Sequence, residues 1–329
     1  MNFDELFAGL DKVRVAVIGD VMLDTYWWGK VDRISPEAPV PVVALNSKEY
    51  RIGGAGNVAL NTAAMGAETV LFSVIGNDDE ADVLIGLLQD NHIDTKFIVR
   101  SEDRITTNKI RIVSKNQQMM RLDSEVTEDI HEEDEEKLLT NFKKFAKKYA
   151  PSVVIFEDYN KGVLTEKLIH GIIAFCKEHN IVTTVDPKRK NFFSYKNVDV
   201  FKPNLKEVKE GLNLMVDDVN ETSLRNIHSE LHQLLQHKIS LITLSEKGVF
   251  FQKNTQSKII PSHVRTIADV SGAGDTVIAV ASLMYASSRD IRLAAEMANI
   301  AGGLVCEEVG TAAINKQRLL EECKRLIRE

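Results

Sequence analysis

A chain of 329 residues, 44% hydrophobic and 27% charged, carries enough apolar material for a large core in one or two domains. Its net charge of −7 argues against nucleic acid or an anionic membrane as the main partner. No apolar run approaches the roughly 20 residues of a transmembrane helix, and MNFDELFAGLDK lacks the basic and apolar regions of a signal peptide, so a cytoplasmic protein is expected.

Taken in chain order, VRVAVIG (13–19) predicts a buried parallel strand, GNVALNTAAMG (56–66) a helix, TVLFSVIG (69–76) a strand and EADVLIGLLQDN (80–91) a helix. The acidic stretch 125–139 leads into a helix, its charges read as a solvated face. SVVIFED (152–158), a helix over 165–180 and IVTTVDP (181–187) repeat the alternation. Further apolar runs follow at VDVFKPN (198–204) and ISLITLS (239–245). Strands alternating with helices imply an α/β fold: a mostly parallel sheet with helices on both faces and ligands at the carboxyl ends of the strands. Two β-rich stretches, 25–45 and 104–124, have no helical period and predict a small second sheet acting as a lid. Pro36, Pro39 and Pro41 place the first of these at an edge. Three widely spaced cysteines, Cys176, Cys306 and Cys323, read as buried free thiols, and the eight histidines as forming no metal-ligand cluster.

Three places carry candidate chemistry. Asp20 and Asp24 follow the first strand, where carboxylates suit sugar hydroxyls. Gly53, Gly54 and Asn57 open the first long helix. The plainer reading is a loop with a cap; the functional one lets a polyol approach the backbone while Asn57 bonds a hydroxyl. ADVSGAGDTV (268–277) sets Gly272, Ala273 and Gly274 at the mouth of a helix and follows them with Asp275. A tight turn with a cap would account for this. So would an anion site made of helix N–H groups, with a carboxylate beside it to take a proton from an attacking hydroxyl.

GGAGNVALNTAAMG and DVSGAGDTV together resemble the two signatures of the ribokinase-like carbohydrate kinases, and the resemblance runs over nearly the whole chain. It implies one kinase domain over 1–329, with Asp275 as base and the backbone of Gly272, Ala273 and Gly274 as anion hole. It implies that ATP is bound by Asn204, Glu207, Ser245, Gly248, Gly272, Gly274, Asn299 and Gly302. Glu207 would organise Mg2+, through water, and Asp269 a monovalent cation such as K+. Asn204 and Glu207 also have the spacing of a helix capping box.

The segments RISPEAPVPVV, TTNKIRIVSKNQQMMRLD, DYNKGVL and VDPKRKNF resemble, more narrowly, the branch that phosphorylates D-glycero-D-manno-heptose 7-phosphate at C1 on the way to ADP-heptose and lipopolysaccharide core. In that branch the kinase is often fused to a nucleotidyltransferase. This sequence has no HxGH element, so no such domain is expected and adenylyl transfer falls to another protein. Glu157 departs from the branch, where a serine is common. A phosphorylated sugar calls for cations, and Lys161, Lys188, Arg111 and Arg121 are the candidates. Trp27 and Trp28 point to opposite faces of a strand, which favours a homodimer through the lid. The alternatives are a kinase for fructose, ribose, fructose 1-phosphate or tagatose 6-phosphate, or a non-catalytic sugar-binding protein; an intact GAGD argues against the last.

Overall fold

A computed structural model describes residues 2–115, 117–214 and 218–327. Asn116 of the second lid stretch and the last two residues of the terminal helix read from sequence lie outside the described residues. After α1 (Phe3–Ala8), the run RVAVIG forms β1 (Arg14–Gly19), and only Asp20 separates it from β2 (Val21–Ile34). β2 and β3 (Pro41–Gly54) make a long antiparallel pair that leads into α2 (Ala55–Ala64). β4 (Glu68–Phe72), β5 (Val74–Gly76), α3 (Asp79–Asp90) and β6 (Val99–Ser101) follow, then a second antiparallel pair, β7 (Asn108–Ser114) and β8 (Gln117–Ser124). The chain next alternates through α4 (Glu132–Tyr149), β9 (Val153–Glu157), α5 (Glu166–Glu178), β10 (Val182–Asp186) and β11 (Val200–Phe201). Helices α6 (Leu205–Leu212) and α7 (Glu221–Leu235) precede β12 (Ile239–Thr243), β13 (Val249–Lys253) and β14 (Gln256–Ile260). Three helices, α8 (Ala273–Ser288), α9 (Ile291–Val305) and α10 (Lys316–Leu326), close the fold.

Eight strands form the main sheet in the order β14-β13-β12-β11-β10-β9-β1-β4, parallel except for β13 and β14. The inner strands are apolar on both faces because helices cover both. Val15, Val17 and Ile155 pack towards α2, α3, α8 and α9, while Ile18, Val154 and Phe156 pack towards α4, α5 and α7. Two sequence expectations need correction. TVLFSVIG is not one strand: it breaks at Ser73, whose hydroxyl donates to the Gly19 carbonyl, and β5 leaves the main sheet to pair with β6. The acidic start of α4 is not wholly solvated. Asp134 and Glu135 are buried, and Glu135 takes the hydroxyl of Thr165 and lies 3.1 Å from Lys167. Cys176 and Cys323 are buried thiols, whereas Cys306 is only half-buried.

The second sheet, β3-β2-β7-β8, stands apart from the first. Its strands reach further back than the sequence suggested: β3 runs to Gly54, so Gly53 and Gly54 end a strand instead of forming a loop. Pro41 starts edge strand β3, where its missing N–H costs no ladder bond. Strand register sorts the side chains by face. Asp24, Arg51, Lys109 and Asp123 share one face with Tyr26, Glu49, Arg111 and Arg121. The other carries Tyr50, Ile110, Leu122, Trp27, Ile112 and Met120. Trp28, on the charged face, stacks near Tyr26 and donates to Glu49.

One cluster escaped the sequence reading. His228 and His232 are four apart on α7, and with His237 their rings lie 5.3–5.8 Å from one another. Ser240 Oγ bonds both His228 and His237. Burial pushes His228 down to about 4 and His237 to about 3. Unfolded histidines titrate near 6.5, so below that pH the unfolded chain gains protons that the folded one refuses, and stability falls down to about pH 3. Urea unfolding of the wild type is expected to lose stability between pH 6.5 and 5. His237→Gln should remove about 1–2 kcal/mol of that loss; an unchanged pH slope would contradict it.

Candidate active site

Asp275 sits in the first turn of α8, 4% exposed. Gly272 caps that helix at φ 76°, in the left-handed region that glycine adopts at little cost, and a Cβ there would come within 2.6 Å of Asn57 Nδ2. The glycine is therefore required twice, for the turn and for the approach of Asn57. Asn57 Nδ2 donates to Asp275 Oδ2 at 2.7 Å, and the Tyr159 hydroxyl donates to Oδ1 at 2.8 Å. Burial pushes the Asp275 carboxyl up, and these two hydrogen bonds pull it back. The result is a desolvated carboxylate of fixed orientation at a helix N-terminus, where first-turn N–H groups have no intrahelical acceptor. Ala273 N–H spends itself on Val270 O at 3.3 Å; Gly274, at the mouth, is exposed. Asn57 is fully buried, so it orients the carboxylate and does not reach into open space as the sequence reading had it.

Beside Asp275 the carboxyl ends of β9 and β10 bring Glu157 and Asp186. Lys202 Nζ, 2% exposed, lies 2.7 Å from Asp186 Oδ2. Lys188 Nζ lies 3.5 Å from Asp186 Oδ1 and 2.7 Å from Glu207 Oε1, over the Tyr159 ring. Lys188, expected at the far phosphate of a sugar, is thus tied to the Glu207 side. Its neighbours Asp186 and Glu207 hold its ammonium charged despite burial.

Asn204 and Glu207 do form the capping box of α6, each side chain bonding the other's backbone N–H at 2.8 Å. That box aims Glu207 Oε1 at Lys188. Ser245 and Gly248 bracket a 3-10 turn after β12. Asn299 donates to the Pro261 carbonyl at 2.9 Å, and Gly302 meets Val277 where α9 crosses α8. Asp269 takes Ser271 N–H and hydroxyl on one oxygen and Gly310 N–H on the other, which draws two loops together beside the α8 mouth. These bonds hold its carboxyl below the usual range against the cost of burial.

Asp20, expected to meet a sugar, is spent on the backbone. Its two oxygens accept N–H bonds from Tyr159, Lys161 and Val163, and it is 1% exposed. These three backbone donors and its near-complete burial commit Asp20 to pinning the loop that carries Tyr159. Asp24 is ion-paired to Arg111 at 2.6 Å, and its carboxylate lies over Gly53, where a Cβ would come within 2.6 Å of Oδ2. Lys161 pairs with Glu125 at 2.7 Å, and Arg121 lies half-exposed against Asp123. Lys109 was missed by the sequence reading. Its Nζ stands 5.3 Å from the Tyr159 ring centre, on the lid face that carries Asp24 and Arg111. Gly54 turns the chain at φ 59° and sits against the Asp20 carbonyl. Tyr159, Asp186 and Lys202 were also passed over, although a polar residue ending a buried parallel strand is a signal available from sequence.

A profile described as pfkB family carbohydrate kinase matches residues 12–318. The bifunctional protein HldE of Aliarcobacter butzleri (strain RM4018) is 40% identical over 311 residues, which are 94% of this chain and 64% of that protein. The protein of the same name from Geobacter sulfurreducens is 36% identical over 320 residues, 97% of this chain and 64% of its own length. The chain therefore spans just under two thirds of these relatives. Among solved structures, the tetrameric inhibited form of phosphofructokinase-2 from Escherichia coli superposes with a TM-score of 0.78 at 16% identity, over 95% of this chain and 100% of that one. Ribokinase from Arabidopsis thaliana, complexed with ribose and ATP, gives 0.72 at 14% identity, over 94% and 99%. The same E. coli phosphofructokinase-2 in complex with potassium gives 0.77 at 16%, over 95% and 100%. At such identities the likeness concerns the fold, which is ribokinase-like.

The Lys202–Asp186 pair is buried on both sides, so removing one partner strands a charge. Lys202→Met should cost about 3 kcal/mol in urea unfolding, the lower end for breaking a buried pair because Lys188 still attends Asp186. A cost under 1 kcal/mol would mean that Lys188 alone neutralises the site.

Proposed function

The chain belongs to the pfkB family of carbohydrate kinases, and from that premise we propose that it transfers the γ-phosphoryl group of ATP to the C1 hydroxyl of D-glycero-D-manno-heptose 7-phosphate. The observation that carries the reading is Asp275, desolvated, oriented by Asn57 and Tyr159, and set beside the open N-terminus of α8. As the sugar hydroxyl attacks, Asp275 takes its proton and ADP leaves with the bridging oxygen's electrons. First-turn N–H groups of α8, Gly274 foremost, face the charge that develops on the moving phosphoryl. Lys188 adds a positive charge on the Glu207 side. Kinases of this family use ATP with magnesium, and Glu207, accepting from Lys188 through one oxygen, fits a water-mediated hold on that ion. When bound, magnesium supplies neutralisation of the phosphate oxygens. For the monovalent cation, Asp269 and the loop at Gly310 are the assigned anchors, supported by their convergence beside α8.

The phosphosugar reading rests on the resemblance of the lid and DYNKG segments and on the HldE relatives. Lys109, with Arg111 and Lys161 that are ion-paired to Asp24 and Glu125, gathers on the lid side the cations a sugar phosphate would call on, with Arg121 and its partner Asp123 at the rim. The outer face of the lid, with Met120 56% and Leu122 43% exposed, supports a homodimer built by two lids face to face.

ADP release measured across a sugar panel tests the substrate: the heptose 7-phosphate should turn over far better than the unphosphorylated heptose, and equal use of both would refute it. Asp275→Asn should lower kcat roughly 10²–10⁴-fold with nucleotide affinity, read by calorimetry, little changed. Lys161→Ala should raise KM for the phosphosugar much more than for ATP. Sedimentation at micromolar concentration should give a dimer that Leu122→Asp converts to monomer; a monomeric, fully active wild type would remove the lid interface.

A further inference from the structure

The carboxylate of Glu157 has no task in the chemistry above, yet it is the most deeply placed acid in the site. It is 0% exposed, and neither of its oxygens has a hydrogen-bond partner among the described residues. An ionised carboxylate left so is costly by several kcal/mol. Protonating Glu157 would remove one charge only, and Asp186, Asp275 and Glu207 would still crowd the same place. One oxygen each from Glu157, Asp186 and Asp275 lies within 4.8 Å of the others. Glu207 adds a fourth acid, through its contact with Lys188. Against these four negative charges stand two ammoniums, Lys188 and Lys202. The local balance is two positive charges short of neutral.

We infer that Glu157, Asp186 and Asp275 form a direct site for one hard divalent cation, separate from the ion that travels with the nucleotide phosphates. Ligand oxygens on opposite sides of Mg2+ are about 4.2 Å apart, and about 4.8 Å across Ca2+, so the observed spread accepts such an ion with little movement. Donors that are all carboxylate oxygens select Mg2+, Mn2+ or Ca2+ over softer metals. Each acid retains capacity: Asp186 Oδ2 is held by Lys202 but Oδ1 only loosely by Lys188, and each Asp275 oxygen accepts a single hydrogen bond. A dication cancels the two missing charges and gives both Glu157 oxygens a partner. Burial, together with Asp186 and Asp275, pushes the Glu157 carboxyl far above its usual range when only protons are available, as expected for a group built to meet a cation. The site needs neither sugar nor nucleotide to be complete, so the ion binds the free protein.

The test is a Mn2+ titration of the full, nucleotide-free chain, with free Mn2+ read by electron paramagnetic resonance. One Mn2+ per chain is expected, displaced by Mg2+, with a rise in Tm on binding. Glu157→Gln, close in volume, should weaken the affinity at least about tenfold and abolish the Tm rise; Asp186→Asn serves as the second ligand variant. Glu207→Gln, which removes one of the four negative charges but no ligand, should weaken this binding less than Glu157→Gln does. No stoichiometric Mn2+ on the wild type, or wild-type affinity in a folded Glu157→Gln, overturns the site. A protein that binds Mn2+ this way but phosphorylates no sugar would keep the site and sink the kinase assignment.

Discussion

Four carboxylates and two ammoniums must share one poorly hydrated place at the carboxyl ends of β9 and β10, and much of the architecture answers to that requirement. Carboxylates so near one another repel unless each is given donors or counter-charges. The chain provides them from scattered positions: Asn57 from α2, Tyr159 from the loop after β9, Lys188 from beyond β10 and Lys202 from beyond β11. None of these is adjacent in sequence to Asp275, the group they serve. The parallel sheet brings them together because successive strands end at the same edge, so residues 145 apart from Asn57 to Lys202 become neighbours of one helix terminus.

The same constraint explains what could be read from sequence. The GAGD turn was legible because its chemistry is local: a left-handed glycine, a helix mouth and an acid in the first turn occupy four consecutive positions. The alternation of strands and helices was legible from period and β-branching, since the apolar runs are short and bounded. Asp20 was misread because sequence gives position along a strand but not who else arrives there; the backbone of 159–163, 139 or more residues away, claims both oxygens. Asn57 fell to the same ambiguity. The Ser73 break was illegible since a serine inside an apolar run is tolerated in a strand, and only the nearby Gly19 carbonyl makes it a terminus. The histidine trio depended on the turn from α7 into β12, which carries His237 back over His228.

The lid was half legible. Its lack of helical period marked it as β, and three prolines marked an edge, but the sorting of its faces depends on register, which sequence alone leaves open. Once β2 pairs with β7 in parallel, charged residues fall in step on one face and apolar ones on the other. A one-residue slip would put Trp27, Ile110 and Met120 among the acids and cations, so the ion pair between Asp24 and Arg111 and the hydrogen bond from Trp28 to Glu49 both reinforce a single register.

The lid's attachment has a mechanical consequence. Two of its strands meet the main domain at one point: β1 passes into β2 through Asp20, and β3 passes into α2 through Gly54, whose neighbour Ala55 donates to the Asp20 carbonyl. Asp20 is therefore a fulcrum, and the sheet beyond it a lever some fourteen residues long on each arm. The fulcrum also holds, through its carboxylate, the loop bearing Tyr159, which touches Asp275. Any tilt of the lever must load that loop, so the aim of the carboxylate at the helix mouth is mechanically geared to the angle of a sheet whose far end lies well outside the site.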